Sequence, residues 1–254
     1  MIDINRKIIF TTSWDDGSKE DRRVLELLNK YALKGTFYIS RSIDFPLVKR
    51  ISDEEIAAIS QKQEVGAHTL GHSYLDSISL DQARQEIIES KKYIEDLTHL
   101  PVKMFCYPGG RVNEEIKKIV KEAGFIGART IDNFQIQLGD PYLMGTTLQC
   151  YPFPLRPDGR SFLQPLQQNW AKISQLGLPI GSYFSWLNLA KNLFDYALKK
   201  GEIFHLWGHS WEIEKNNQWK DLEQFFKHIA GRVDVKYLNN SQTIEALNEN
   251  TSSN

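Results

Sequence analysis

The 254-residue chain is 41% hydrophobic and 25% charged with a net charge of −1, the balance of an ordinary globular protein. Near-neutrality gives no footing for a nucleic-acid backbone, and no basic block points to a membrane surface. No apolar run reaches the roughly 18 residues that a membrane span needs.

Length and unbroken composition suit a single domain over residues 1–254, and barrels of alternating strands and helices commonly have this size. Asp3, Arg6 and Lys7 interrupt the opening residues, which is not the layout of a signal peptide. Cys106 and Cys150 read as free thiols of a reducing compartment. The expectation is therefore cytoplasmic, and the sequons at Asn239 and Asn250 carry no weight without secretion.

In chain order, Lys7-Ile8-Ile9-Phe10 opens a strand that runs into Thr11-Thr12-Ser13-Trp14-Asp15-Asp16-Gly17. Residues 21–32 carry Val24, Leu25, Leu27, Leu28 and Tyr31 on one helical stripe. Thr36-Phe37-Tyr38-Ile39 is a buried strand, and Phe45-Pro46 is a break after it. Ser52 is placed to cap a helix through Ser60, with Asp53, Glu54 and Glu55 at its positive end.

Glu64 to His68 is a short strand leading into His68-Thr69-Leu70-Gly71-His72. Ser79 caps a long helix to about Leu97. Lys103 to Tyr107 is a strand ending on Pro108-Gly109-Gly110. Asn113 begins a helix to Ala123 with Gly124 at its C′ position, and Phe125 to Thr130 returns to strand.

Residues 132–160, rich in proline and without a clear period, read as an irregular insertion that shapes a substrate pocket. Helices are expected within 161–176 and 185–199, the second closed by Gly201. Ile203 to Trp207 is a strand delivering Gly208-His209. A helix over 218–230, a strand from Val235 to Leu238 and a helix capped by Ser241 complete the chain. Such alternation argues for a parallel sheet with crossover helices. The polar clusters all lie just past the C-terminal ends of strands, where α/β folds place their sites.

Two imidazoles at i and i+4 share one face of a helical turn, and with Asp16 they form two nitrogens and one carboxylate. Such a set leaves coordination positions open, as catalytic rather than structural metal sites do. Asp-Gly is also a common turn dipeptide, yet here both acids come after a buried strand, where an uncompensated charge is costly. A division of labour resolves this: one carboxylate joins the two imidazoles in holding a divalent cation, and its neighbour takes a proton from water that the cation acidifies. His209 is the candidate general acid, and Gly109 the candidate source of a backbone N–H for a developing oxyanion. Tyr107 and Trp207 join Gly109 as candidate substrate contacts, and Trp207, Trp211 and Trp219 offer stacking faces. His205 belongs to the fold, and His99 and His228 to helix surfaces.

These residues carry a resemblance. Ser13-Trp14-Asp15-Asp16-Gly17 resembles the Thr-Phe-Asp-Asp-Gly motif of the polysaccharide deacetylases, the carbohydrate esterases that share the nodulation-type chitooligosaccharide deacetylase domain. His68 to His72 matches their His-Ser/Thr-x-x-His, and Leu206 to His209 their Leu-x-x-His, in the same order. The resemblance implies an α/β fold, a distorted, incomplete (β/α) barrel, and one divalent ion, usually zinc. It implies Asp15 as base, Asp16, His68 and His72 as ligands and His209 as acid, removing an acyl group from an amino sugar. Two departures stand out. The family's third motif, Phe-Arg-x-Pro-x-Gly, has Cys106 in place of its arginine, for which Arg111 and Arg129 are the candidate substitutes. The Asp-rich fourth motif is not recognisable, with Asp132 the candidate for part of it. Hydrolysis of a small non-sugar amide or imide, and a catalytically silent sugar-binding domain, stay open as alternatives.

Overall fold

The computed structural model describes residues 7–43, 49–155 and 164–252. The expected break at Phe45-Pro46 and the start of the helix expected from residue 161 lie outside them. Parallel strands run β5–β4–β3–β2–β1–β7–β6, with β8 (Val235–Tyr237) also on β1. Here β1 is Ile8–Asp15, β2 Thr36–Ile39, β3 Glu64–Ala67, β4 Met104–Cys106, β5 Gly127–Arg129, β6 Leu148–Gln149 and β7 Ile203–Gly208. One edge of β1 is shared: β8 pairs Ile8 to Phe10, and β2 pairs Ser13 to Asp15. Between the sheet's two ends, the Met144 carbonyl accepts from the Thr130 N–H, and the Thr147 N–H donates to the His205 carbonyl. The sheet therefore curls into an incomplete (β/α) barrel.

Helices α1 (Asp21–Lys30), α2 (Asp53–Ser60), α3 (Leu80–Thr98), α4 (Glu114–Glu122), α5 (Gln164–Ile173) and α6 (Trp186–Lys200) keep the predicted order. After β7 come α7 (Ser210–Lys215), α8 (Trp219–Ile229) and, last, α9 (Asn240–Ser252). Ser52 and Ser79 each close a capping box, with Glu55 and Gln82 respectively. Three expectations need correction. The insertion at 132–160 contains β6, whose two residues are too short to show a period. Helix α7 begins directly after His209, where the sequence reading places no element. Helix α9 is capped by Asn239, whose Oδ1 accepts from the Gln242 N–H at 2.9 Å, with Ser241 inside the first turn.

Side chains alternate across the sheet, and the two faces differ in chemistry. Phe10, Phe37, Phe105 and Phe204 join the large apolar cluster that also takes in the helices' buried residues. The opposite face encloses a small cluster of Tyr38, Met104, Cys106, Met144, Ile203 and Ile244, and beside it stand polar positions of β1 and β7. Thr11 donates to Asn240 Oδ1 at 2.8 Å, Ser13 Oγ lies 2.8 Å from His205 Nε2, and Asn240 Nδ2 donates to Tyr38 Oη at 2.9 Å. These buried polar groups satisfy one another, so the interior holds polar side chains without leaving them unpaired. His205, buried and neutral with its pKa lowered by desolvation to about 3, is the structural residue expected.

Gly66 marks a close approach inside the barrel. A Cβ there would meet Tyr38 Cε1 at 2.5 Å and the Met104 carbonyl at 3.0 Å. Gly66→Ala is expected to lower unfolding free energy by about 1–3 kcal/mol through overpacking, read from denaturant midpoints. A loss near zero would show that Tyr38 moves freely aside.

Candidate active site

Strand β1 delivers both acids. Asp15 is its last residue, and at Asp16 the backbone turns to φ 81°, unusual for a residue with a Cβ. That reversal sends the two carboxylates to different partners. Asp15 Oδ2 accepts a hydrogen bond from Arg129 Nη2. Asp16 Oδ2 accepts from Trp211 Nε1 at 2.9 Å, while its Oδ1 lies 3.4 Å from His72 Nε2 and 3.7 Å from His68 Nε2.

Of the two arginines considered, Arg129 takes the role and Arg111 does not. Arg129 is fully buried, whereas Arg111 pairs with Asp76 at the surface at 2.9 Å. Cys106 and Arg129 are register partners on β4 and β5, so their side chains leave the sheet on the same side. The thiol is small, and Arg129 Nη2 reaches past it, 2.9 Å from Sγ. Arg129 also lies 4.9 Å from the Trp207 ring and 5.4 Å from that of Tyr38, contacts that suit a desolvated guanidinium. Burial alone would raise the Asp15 pKa, but Arg129, with lesser help from His68 and His209, holds it below the ordinary carboxylate value. Asp15 is thus an anion at neutral pH.

His68 comes directly after β3, and its Nδ1 lies 2.8 Å from the Cys106 carbonyl. That bond puts the proton on Nδ1 and leaves Nε2 as a lone-pair donor. Desolvation lowers its pKa to about 4, so it is neutral and ready to ligate. Thr69 and His72 both adopt positive φ, and Glu86 accepts from the Gly71 N–H at 2.8 Å. The segment is a tight loop rather than a helical turn.

Asp16, His68 and His72 bring one ligand atom each within 4.8 Å of one another. Asp16 Oδ1 is buried with no hydrogen-bond partner among the described residues, although such an orphan costs stability. A carboxylate and two imidazoles around an orphaned oxygen fit a divalent cation. A second grouping, Asp15, His68 and Cys106, is equally compact. Arg129 already occupies it with positive charge, and burial pushes the Cys106 thiol pKa well up, so it suits no cation.

His209 comes directly after β7 and turns its Nδ1 to Glu212 Oε2 at 2.6 Å, with Nε2 3.8 Å from Asp16 Oδ2. Burial opposes its charge, yet Asp16 and Glu212 together raise its pKa to about 10. Glu212 supplies the carboxylate that Asp132 does not: Asp132 is exposed. The i, i+3 spacing from His209 to Glu212 is a usable signal once α7 is recognised.

A cleft of ≈ 480 Å³ opens over this constellation, lined by Asp15, Asp16, His68, His72, His209 and Gly109, with Tyr74, Trp207 and Trp211 around it. Gly109 has φ 61°, and a Cβ there would strike Tyr74 at 2.8 Å, so a bare backbone is required at this wall. Tyr107 is a correction. Its side chain is fully buried against Phe105, and its N–H and carbonyl pair with Arg129 and Gly110. It cannot touch a substrate. Of the tryptophans, Trp219 is buried with its ring under Arg23, away from the cleft.

Arg129→Met is expected to destabilise the fold by about 3–5 kcal/mol at neutral pH, since it leaves Asp15 buried and uncompensated. The sign can be followed with pH. With Arg129 present, the depressed Asp15 pKa makes the pair's contribution full above the ordinary value of 3.8 and lost as pH falls below it. In the variant desolvation raises that pKa, so the deficit shrinks on acidification. A deficit constant with pH would refute the pairing.

Residues 3–128 match the polysaccharide deacetylase family. The chain is 33% identical over 129 residues to the peptidoglycan-N-acetylglucosamine deacetylase of Bacillus cereus, covering 48% of this chain and 55% of that protein. It is 27% identical over 122 residues to the peptidoglycan-N-acetylmuramic acid deacetylase PdaC of Bacillus subtilis, covering 47% of this chain and 25% of that one. It therefore spans about half the length of the first and a quarter of the second. The fold is similar to that of a Mycobacterium smegmatis protein provisionally described as a polysaccharide deacetylase, with TM-score 0.66, 16% identity and coverage of 98% and 93%. It is also similar to a CE4 family pseudoenzyme from Bacillus anthracis, with TM-score 0.54, 16% identity and coverage of 94% and 66%.

Proposed function

Because the chain belongs to the polysaccharide deacetylase family, we propose that it is a metal-dependent hydrolase that removes an N-acyl, acetyl-like group from an amino sugar. The observation that carries this is the separation of the two acids: Asp15 is held ionised by Arg129, and Asp16 is left with an orphaned oxygen beside two imidazoles. A silent binding domain would need neither a buried base nor a protonated histidine facing the same cleft.

Asp16, His68 and His72 would hold the cation, with zinc suited to this nitrogen and oxygen set. When bound it supplies Lewis-acid polarisation of the amide carbonyl and of water. Asp15 removes the proton from the attacking water, its free Oδ1 being the acceptor and its Oδ2 fixed by Arg129. The Gly109 backbone borders the cleft where an oxyanion donor is needed. His209, whose Nδ1 is paired with Glu212 Oε2 at 2.6 Å, gives its Nε2 proton to the departing amine, and Glu212 holds the ring in place. We propose a cytoplasmic setting, with the two buried unpaired thiols as support.

Asp15→Asn is expected to keep metal and lose turnover by about 10²-fold or more, whereas His68→Ala loses both, read by metal analysis beside amine release. Equal metal loss in both variants would refute the division of roles. His209→Ala should leave metal content intact and slow the reaction by about 10²–10⁴-fold, with Glu212→Gln giving a smaller loss. An unchanged rate removes His209 from the mechanism. Screening the metal-loaded protein against acetylated amino sugars and simple amides tests the substrate class. Amine released only from small amides would overturn the sugar assignment, and release from neither would overturn the enzyme.

A further inference from the structure

Strand β7 ends on Gly208, and the acid side of the site follows at once in His209, Trp211 and Glu212. Trp211 and Glu212 lie on the first turn of α7, and His209 stands at its N-cap position. His209 makes no side-chain capping bond to that helix, its Nδ1 being turned to Glu212 instead. A helix of six residues does not hold its shape in water by itself. Ile213 anchors the second turn in the apolar core. The first turn, which carries the chemistry, is anchored by polar groups.

Ser210, the first residue of α7, is fully buried, as are Ser18 and Asp21. The Ser210 hydroxyl donates to Asp21 Oδ1 at 2.6 Å, and Ser18 Oγ lies 2.6 Å from Ser210 Oγ. With the Ser210 proton directed to Asp21, Ser18 is the donor in the second contact. Ser18 comes two residues after Asp16, and Asp21 opens α1. These three side chains therefore join the loop that follows Asp16 to the turn that carries His209. Asp21 serves α7 rather than the helix it opens. Its Oδ1 reaches across to Ser210, and its Oδ2 is buried with no partner among the described residues. Burial pushes its pKa well up, against the Ser210 hydrogen bond and with Asp16, Asp15 and Glu20 adding to the rise. Charged or neutral, its Oδ1 remains an acceptor for Ser210.

Resting on the hydrolase reading above, we propose that Asp21 is a positioning residue for the general acid: through Ser210 it fixes the first turn of α7 and holds His209 at the cleft. Asp21 touches no substrate. Its oxygen fixes the Ser210 hydroxyl, which fixes the backbone beside His209, and Glu212 orients the imidazole on that backbone. Trp211 rides on the same turn, its Nε1 2.9 Å from Asp16 Oδ2, so its indole N–H reports whether the turn is in place.

The test compares Asp21→Ala, Asp21→Asn and Ser210→Ala in the zinc-loaded full chain. Amine release is read with whichever acetylated amino sugar the wild type turns over fastest. Both alanine variants are expected to lower kcat about tenfold or more with KM and zinc content within about twofold. Asp21→Asn, which keeps the acceptor, recovers most of the rate. In nitrogen–proton correlation spectra the Trp211 indole signal, assigned with Trp211→Phe, shifts in both alanine variants and returns in Asp21→Asn. The indoles of Trp14 and Trp186, bonded to Thr12 and to the Gln149 carbonyl, keep their signals. In a His209→Ala background, adding Asp21→Ala should cost less than about twofold, since a residue acting through His209 has nothing left to act on. Equal losses with and without His209 overturn the assignment, as does an unmoved Trp211 signal in slowed variants. Should Asp21→Ala fail to fold, Ser210→Ala alone decides each readout. A wild type that turns over none of the sugars or amides overturns the hydrolase, and the indole signals still decide whether Asp21 holds α7. An active wild type with kcat and the Trp211 signal unchanged in both alanine variants overturns the positioning alone.

Discussion

A guanidinium buried beneath a carboxylate is the constraint on which this molecule depends. Adjacent acids at the end of a buried strand repel, and each must be answered by positive charge or by a proton. Arg129 answers Asp15 from within the protein, with Trp207 and Tyr38 packed on its faces. Asp16, turned the other way by its positive φ, is answered by nothing the described residues supply to its Oδ1. The same residue pair thus becomes one paired anion and one carboxylate with an open oxygen, and the difference is set by backbone direction rather than by residue type.

The barrel interior makes that arrangement rigid. Each group that matters is held from behind: His68 by the Cys106 carbonyl, His209 by Glu212 and Asp16 by the Trp211 indole. Supporting contacts of this kind fix both tautomer and aim. The polar ladder of Thr11, Ser13 and His205 lies along the inner face of β1 and β7, where it satisfies groups that would otherwise be orphaned. Asn240, at the start of α9, ties that ladder to Tyr38 and to Thr36. Helix α9 therefore contributes to the interior although it comes last in the chain.

Much of this is legible in the sequence because the informative signals are local. Ser52 and Ser79 announce their helices through residues three positions on, and the Asp pair, His68 and His72, and His209 each stand at or just past the end of a strand. The illegible part depends on register between strands distant in sequence. Nothing local to Arg129 says that it stands beside Cys106, because that arises from the pairing of β4 with β5. Glu212 is within reach but hidden by the six-residue α7, too short to show a stripe. Tyr107 misleads for a related reason: its place after an apolar strand is compatible with either face, and the structure turns its side chain into the core.

Cys106 carries a lesson for how such chains are recognised. Search patterns that demand arginine on β4 test which strand supplies a charge, whereas the chemistry tests only where that charge arrives. Here a small thiol stands on β4 and the long cation reaches Asp15 past it from the next strand. A motif read only at position 106 therefore misses the positive charge that reaches Asp15 from β5.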